Sequence, residues 1–370
     1  MKVALAGGGT GGHVYPALAM GDALKARGHE VIYIGDASRL EGRVAPQRGY
    51  SFYPVTAPQF PRSGVMGKLR FAFALLGAIR RARALLQKVR PDVVLGVGGY
   101  IMAPTVLAAR SLGIGRVIHE SNVAPGLANR LCAKVADLVL LTYAASGPKL
   151  GTRAPMELVG CPVHPKILQG DRAQARAFYG LNETLPVVLL VGGSLGAATL
   201  NALALASARL SSRPYQLLWI TGPRYHPQAL SELGEAPPGV VVRDYEDDMG
   251  RAYAAADLVI ARAGSSTLSE LTALGKPAVL IPSPNVTDNH QEHNARGLAS
   301  LGAAMVITEQ GLNISEALER IGGLLSDPAA LTKMAEASRA QGRLGVAEQV
   351  AGLIETRFTA LASGGGGAGR

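Results

Sequence analysis

Between Asp257 and Asn294 the sequence gathers hydroxyl, carboxylate and amide side chains around what reads as the start of a helix. An apolar run, Leu258–Ala261, ends in Arg262-Ala263-Gly264. Ser265, Ser266 and Thr267 then lead into LSELTALG, and Gly275 followed by Lys276-Pro277 is a stop. A helix N-terminus carries unpaired N–H groups and the positive end of a dipole, so it suits an anionic ligand. Glu270, in the first turns, is placed to accept both hydroxyls of a ribose while phosphates sit nearer the N–H groups. Asp288-Asn289-His290-Gln291 adds amides and an imidazole on a following loop. Without a ligand, the same residues are a capped helix beside a polar loop.

A second set of such residues lies near the N-terminus. Strand-like Lys2–Ala6 runs into GGGTGGH, Gly7–His13, and a helix pattern from Pro16 to Arg27. Gly7, Gly9 and Gly12 satisfy GxGxxG, and Asp36 follows the second strand, Glu30–Ile34, where a dinucleotide-binding acid would stand. A tight strand-to-helix turn needing no ligand reads equally well. His13, Tyr100, Glu120 and Asn122 all fall at the carboxyl ends of predicted strands, where α/β sheets bind ligands. Asp247-Asp248 reads as a solvated acidic turn, and Cys132 and Cys161 have neither CxxC nor metal-ligand spacing, so no metal site is expected.

The elements that must position these residues alternate strand and helix, which predicts parallel sheets. Further strands are expected at Asp92–Gly96, Arg116–Ile118, Leu138–Leu141, Val187–Val191, Gln216–Ile220, Val240–Arg243 and Ala278–Ile281. The second half echoes the first: VALAGGGTGG against VVLLVGGSLG, and DVVLGVGG against DLVIARAG. The expected fold class is therefore α/β, two Rossmann-like, doubly wound domains facing each other across a cleft that pools two glycine loops. Gly160-Cys161-Pro162-Val163 reads as the hinge. Domains are expected at 1–162 with a returning helix at 342–361, and at 163–341, with 363–370 a glycine-rich disordered tail.

Composition narrows the partners. The 370 residues are 48% apolar and 17% charged, a globular balance, with a net charge of +10. Residues 1–165 carry 20 Lys and Arg against 8 Asp and Glu, the remainder 17 against 19, so the excess belongs to the first half. A basic half beside a neutral one suggests an anionic partner for the first domain. The Arg-rich stretch 59–90 joins Lys68, Arg70, Arg80 and Arg81 to Phe71, Phe73, Leu75, Leu76 and Ile79, a pattern that suits an anionic lipid interface or a core helix with a solvated basic face. Phe71–Ile79 is too short to span a bilayer, MKVALAGGG is no signal peptide, and no nucleic-acid-binding signature appears.

Taken together, GGTGGH, HESN-x-x-PGLANR, GCPV, GGSLGA, RAGSSTLSE and DNHQ-x-x-NA occur in an order and spacing that resembles the MurG family of bacterial cell-wall glycosyltransferases over residues 1–360. The resemblance implies a GT-B fold, with the last helix crossing back to the first domain. It implies inverting transfer of N-acetylglucosamine from UDP-GlcNAc to the 4-hydroxyl of the MurNAc-pentapeptide in lipid I, giving lipid II. It also implies a peripheral location on the cytoplasmic face of the cell membrane, anionic lipids as partners, and no cofactor.

Residue by residue, the resemblance places Thr10, Gly11 and Gly12 near the donor sugar and phosphates, Asn122 on the sugar hydroxyls, Ser194 by the diphosphate and Gln291 near the sugar. It places Ser265, Ser266, Thr267, Leu268, Ser269 and Glu270 on the nucleotide helix, with Tyr100 and Asn129 as candidates for the acceptor side. The family usually has arginine where His164 stands, asparagine at Cys161, glutamine at Ser121 and an apolar residue by the base at Glu246. A diphosphate contact from His164 would then be weaker or pH-dependent. Such a displacement needs a base for the incoming hydroxyl. His13 is the first candidate, with loop orientation or phosphate contact as its other reading, and Glu120 is the second, or His13's partner. A UDP-GlcNAc 2-epimerase, a dinucleotide-dependent oxidoreductase and a non-catalytic sugar-nucleotide sensor are the competing expectations.

Overall fold

The computed structural model describes residues 1–58 and 65–364, and the chain divides into two compact units, Met1–Pro162 with Gly345–Arg370, and Val163–Leu344. Within the first unit, β1 (Lys2–Ala6), α1 (Gly11–Ala26), β2 (Glu30–Gly35), α2 (Leu40–Gln47), β3 (Ser51–Pro54), α3 (Val65–Val89), β4 (Val93–Gly96), α4 (Met102–Ser111), β5 (Gly115–Glu120), α5 (Leu127–Ala133), β6 (Leu138–Leu141) and β7 (Met156–Leu158) follow one another. Their sheet is parallel throughout, in the order β3-β2-β1-β4-β5-β6-β7.

The second unit runs α6 (Arg172–Tyr179), β8 (Val187–Val191), α7 (Ala198–Ala208), β9 (Gln216–Ile220), α8 (His226–Leu233), β10 (Val240–Arg243), α9 (Met249–Ala255), β11 (Leu258–Ala261), α10 (Ser265–Leu274), β12 (Ala278–Leu280), α11 (His290–Ala299), β13 (Met305–Val306), α12 (Ile314–Leu325) and α13 (Pro328–Ala340). Its parallel order is β10-β9-β8-β11-β12-β13. The chain then returns to the first unit as α14 (Val346–Gly364).

Both sheets are covered on two faces, so central strands such as β8, VVLLV, are apolar and buried at every position. Separate apolar clusters fill the two sides of each sheet. α14 closes one side of the first unit, with Val350, Ile354 and Phe358 packed among α1 and β1 residues. Glu355 on the same helix accepts from Arg27 Nε at 3.0 Å and lies 2.8 Å from His29 Nε2.

Strand order reverses between β1 and β4 in the first unit and between β8 and β11 in the second. At such switch points the loops leave on opposite faces and open a crevice. The loops after β1 and β4 carry Gly7–Thr10 and Val97–Tyr100, and those after β8 and β11 carry Gly192–Ala197 and Arg262–Gly264.

Several elements differ from expectation. α1 starts at Gly11, so Gly11, Gly12 and His13 form its first turn and Thr10 is its N-cap residue. Residues up to Leu344 belong to the second unit, so the returning segment is shorter at its start than 342–361. Of the expected tail, 365–370 lie outside the described residues.

Candidate active site

In the first unit the loop after β1 delivers His13. Thr10 Oγ1 lies 3.2 Å from His13 Nδ1, which orients the imidazole from the helix N-cap. The ring lies close to Gly98 of the loop after β4. A Cβ at Gly98 would lie 2.6 Å from its Cδ2, and Gly98 has φ +100°, so glycine is needed there on both counts. Tyr100, next along, lies against Gly9, and its buried hydroxyl has no hydrogen-bond partner among the described residues. An unanswered buried hydroxyl carries a desolvation cost that a bound polar group would remove.

Glu120 ends β5 and is buried. Its Oε1 accepts Asn122 N–H at 2.8 Å, and its Oε2 accepts Asn129 Nδ2–H at 2.6 Å. Burial pushes this carboxyl up to about 7, against the opposing pull of hydrogen bonds from Asn122, Asn129 and the Gly126 backbone. Glu120 therefore sets the conformation of the Asn122 loop, and His13 lies beside the Thr10 hydroxyl. Asn129, expected on the acceptor side, is 5% exposed and also donates to His119 O at 3.1 Å, so it ties α5 to the end of β5.

His119 was not singled out by sequence. Fully buried, it donates from Nε2 to Gly160 O at 2.8 Å, and its Nδ1 accepts from Ser121 Oγ at 3.2 Å. Desolvation lowers its pKa to about 4, so it is neutral at neutral pH. Ser121, the residue standing where the family has glutamine, thus completes a buried network that holds the start of the Gly160–Val163 segment.

In the second unit, α10 begins at Ser265, after an extended Gly264. Asn294 Nδ2 donates to Ala263 O at 3.3 Å and steadies the preceding loop. The Ser266 hydroxyl is buried with no hydrogen-bond partner among the described residues, in the first turn of this helix. Glu270 Oε2 accepts from the buried Tyr253 hydroxyl at 2.8 Å. Desolvation raises the Glu270 carboxyl to about 7, with the Tyr253 bond pulling the other way. Thr267 and Ser269 are half-buried and Leu268 is buried in the core of the unit, so Leu268 is a packing residue of α10.

The other expected contacts lie on separate loops and helices of the second unit. Ser194 is exposed on the loop after β8. Gln291, on α11, accepts Ser283 N–H at 2.9 Å through its amide oxygen. His164 caps a short 3₁₀ turn by accepting Lys166 N–H at 3.2 Å. Glu246, expected by a base, is turned inward. It is 6% exposed, accepting Tyr179 Oη–H at 2.7 Å and Asp248 N–H at 2.9 Å. Asp248 is the N-cap of α9. Among the described residues no group of three or more His, Cys, Asp or Glu side chains is placed to hold a metal ion.

The basic stretch forms α3, whose Ala78, Ala82, Leu86 and Val89 are buried at helical spacing. Ile79, expected at a lipid interface, packs into the core instead, and Phe71 and Leu75 are only partly exposed. Phe73 and Leu76 are 74% and 54% exposed, on a face with Arg70, Arg80 and Arg83. Arg81 is exposed as well and donates to Thr56 O at 3.0 Å. Lys68 is on the same helix, but its side chain lies outside the described residues. Among the described residues no helix is long and apolar enough to cross a membrane.

Comparison with known proteins accords with this arrangement. Residues 3–141 match the glycosyltransferase family 28 N-terminal domain, and 187–350 match its C-terminal domain. The chain is 38% identical to the UDP-N-acetylglucosamine–N-acetylmuramyl-(pentapeptide) pyrophosphoryl-undecaprenol N-acetylglucosamine transferase of Halothermothrix orenii, over 96% of this chain and 98% of that one. To the enzyme of the same name from Clavibacter sepedonicus it is 42% identical, over 95% of each. The crystal structure of Acinetobacter baumannii MurG superposes with a TM-score of 0.78 at 29% identity, over 96% of this chain and 99% of that one. With both domains matched in order and such relatives along nearly its whole length, the chain belongs to glycosyltransferase family 28, within its MurG group, and has the GT-B fold.

Proposed function

We propose that this protein transfers N-acetylglucosamine from UDP-GlcNAc to the 4-hydroxyl of the MurNAc-pentapeptide of lipid I, with inversion at the anomeric carbon, to give lipid II for peptidoglycan. The observation that carries the reading is the start of α10. There an unanswered Ser266 hydroxyl and a desolvated Glu270 carboxyl lie together at a helix N-terminus, in a chain that matches the named transferases end to end.

Glu270 accepts the ribose hydroxyls. The N–H groups of α10, with those of the loop after β8 that bears Ser194, face the diphosphate. Charge grows on that diphosphate as the glycosidic bond breaks, and oriented N–H dipoles stabilise it without needing to reorganise. The reading requires no metal or other cofactor. Asn122, held by Glu120, and Gln291, through its amide nitrogen, bind sugar hydroxyls. His13 takes the proton of the incoming 4-hydroxyl as the oxocarbenium-like transition state forms. If Nδ1–H donates to Thr10 Oγ1, the unprotonated nitrogen is Nε2, the tautomer a base needs.

Phe73 and Leu76, among the arginines of α3, meet anionic lipid at the cytoplasmic membrane face, where lipid I is found. Radiolabelled UDP-GlcNAc with a short-chain lipid I analogue tests the reading. The expected result is label on the lipid in a β-(1→4) linkage, with UDP released. Binding of UDP-GlcNAc without transfer would overturn it in favour of a sensor. In the same assay His13→Ala should lose ~10²–10⁴-fold in kcat with little change in donor KM. Near-normal turnover would remove His13 as the base.

A further inference from the structure

Glu41, in the first turn of α2, is a buried carboxylate (0% exposed) that no step of the proposed reaction uses. Its Oε2 accepts Gly9 N–H at 3.0 Å and its Oε1 accepts Asp36 N–H at 3.2 Å. One side chain therefore ties the loop after β1 to the loop after β2. The surroundings are cut to admit it: a Cβ at Gly8 would lie 2.0 Å from its Oε1, and one at Gly35 would lie 2.6 Å from its Cγ. Beside it, the buried Tyr33 hydroxyl donates to Gly7 O at 3.2 Å. Burial, and then the charge of Glu41, keep that phenol protonated and so a donor. Asp36, which the sequence offered as a ribose-binding acid, turns its carboxylate to its own turn, accepting Ser38 N–H at 2.9 Å.

Burying a carboxylate is costly unless its hydrogen bonds are made and a favourable field surrounds it. Here two backbone N–H groups and the N-terminal end of α2 supply both. In a dinucleotide-binding protein the amides of such a glycine loop face a pyrophosphate. In this protein one of them is answered from within.

We infer that Glu41 is a positioning residue for the sugar transfer: an internal anion that holds the Gly9 amide and so fixes the start of α1, where Thr10 and His13 stand. The inference rests on the transfer reading above. A first glycine loop locked in this way presents His13 at a set angle, and displacement of a reacting group by about 1 Å is enough to cost ~10²-fold in rate.

The test compares Glu41→Ala and Glu41→Gln in the full-length protein by three measurements. These are transfer to the lipid I analogue, UDP affinity by calorimetry, and amide hydrogen exchange over residues 7–13. Glu41→Ala should lower kcat ~30–100-fold and speed exchange of the Gly9 and Thr10 amides, with UDP affinity within about 2-fold because Glu270 is untouched. Glu41→Gln can accept only one of the two N–H groups, so its kcat should fall between the wild type and Ala. If Ala does not fold, Gln alone carries the comparison. Glu41→Gln with wild-type kcat and exchange would show that the side chain only fills space, and would overturn the inference. A proportional loss of kcat and UDP affinity would do the same by showing general damage. Failure of the wild type to transfer sugar would instead overturn the transfer reading, and the exchange comparison would still report whether Glu41 holds the loop.

Discussion

Glu270 and Glu120 are two carboxyls raised to about the same value by burial, yet their surroundings give them different work. Glu120 is answered on one oxygen by its own loop and on the other by Asn129 of α5, whereas Glu270 has one oxygen on Tyr253 and stands in the second turn of α10. Because Glu270 is raised from 4.5 to about 7, its contribution to stability is present below pH 4.5 and is lost as pH rises through 7. Ligand binding runs the opposite way, since two ribose hydroxyls donate best to the ionised form. UDP affinity should therefore rise up to ~10-fold between pH 6 and pH 8, as the ionised fraction grows. Calorimetry across that range checks it: Glu270→Gln should flatten the profile, and Glu270→Ala should weaken binding ~10–100-fold. Glu270 was legible in sequence because it follows a hydroxyl-rich helix start at fixed spacing. Glu41 was not, because nothing local marks a carboxylate whose partner, the Gly9 amide, lies on a loop 32 residues away.

At the level of elements, strands such as β1, β8 and β11 could be read from sequence because burial on both faces leaves them unbroken apolar runs. β7 and β13 were missed. They are three and two residues long and not fully buried, so they lack that signal. α2 was missed too, since LEGRVAPQ mixes charge with Pro46 and buries only Glu41 and Ala45. α3 was seen, but its faces were not separable until Ala78, Ala82 and Leu86 were found on the core side. The exposed side should bind vesicles containing anionic lipid. Replacing Arg70 and Arg80 by Glu should cost at least ~2 kcal/mol of that binding, about 1 per lost cation. Phe73→Ser with Leu76→Ser should weaken it at high salt, where the charges are screened. Sedimentation with vesicles, with and without phosphatidylserine, measures both. Unchanged binding in the two double variants would move the lipid contact elsewhere.

For the whole molecule, α14 determines how the first unit holds together. Phe358 fills the space beside Gly115, where a Cβ would lie 2.4 Å from its ring, and Glu355 clamps Arg27 and His29. Phe358→Ala should destabilise the first unit by about 3–5 kcal/mol. Hydrogen exchange should then quicken in β1, β4 and β5 and stay unchanged in β8 and β11. Equal quickening in both sheets would mean that the units unfold as one. The Glu355 carboxyl, held down at about 2 by the Arg27 hydrogen bond first and His29 next, adds stability above its ordinary range near 4.5, and this is lost as pH falls towards 2.

The return of α14 also orders events during synthesis. The residues from Val163 to Leu344 leave the ribosome before the helix that closes the first unit, so the second unit can finish folding while the basic half still exposes one side of its sheet. A chain ending before Val346 would therefore hold the whole of the half proposed to bind the sugar nucleotide, but lack the helix that completes the half proposed to meet lipid.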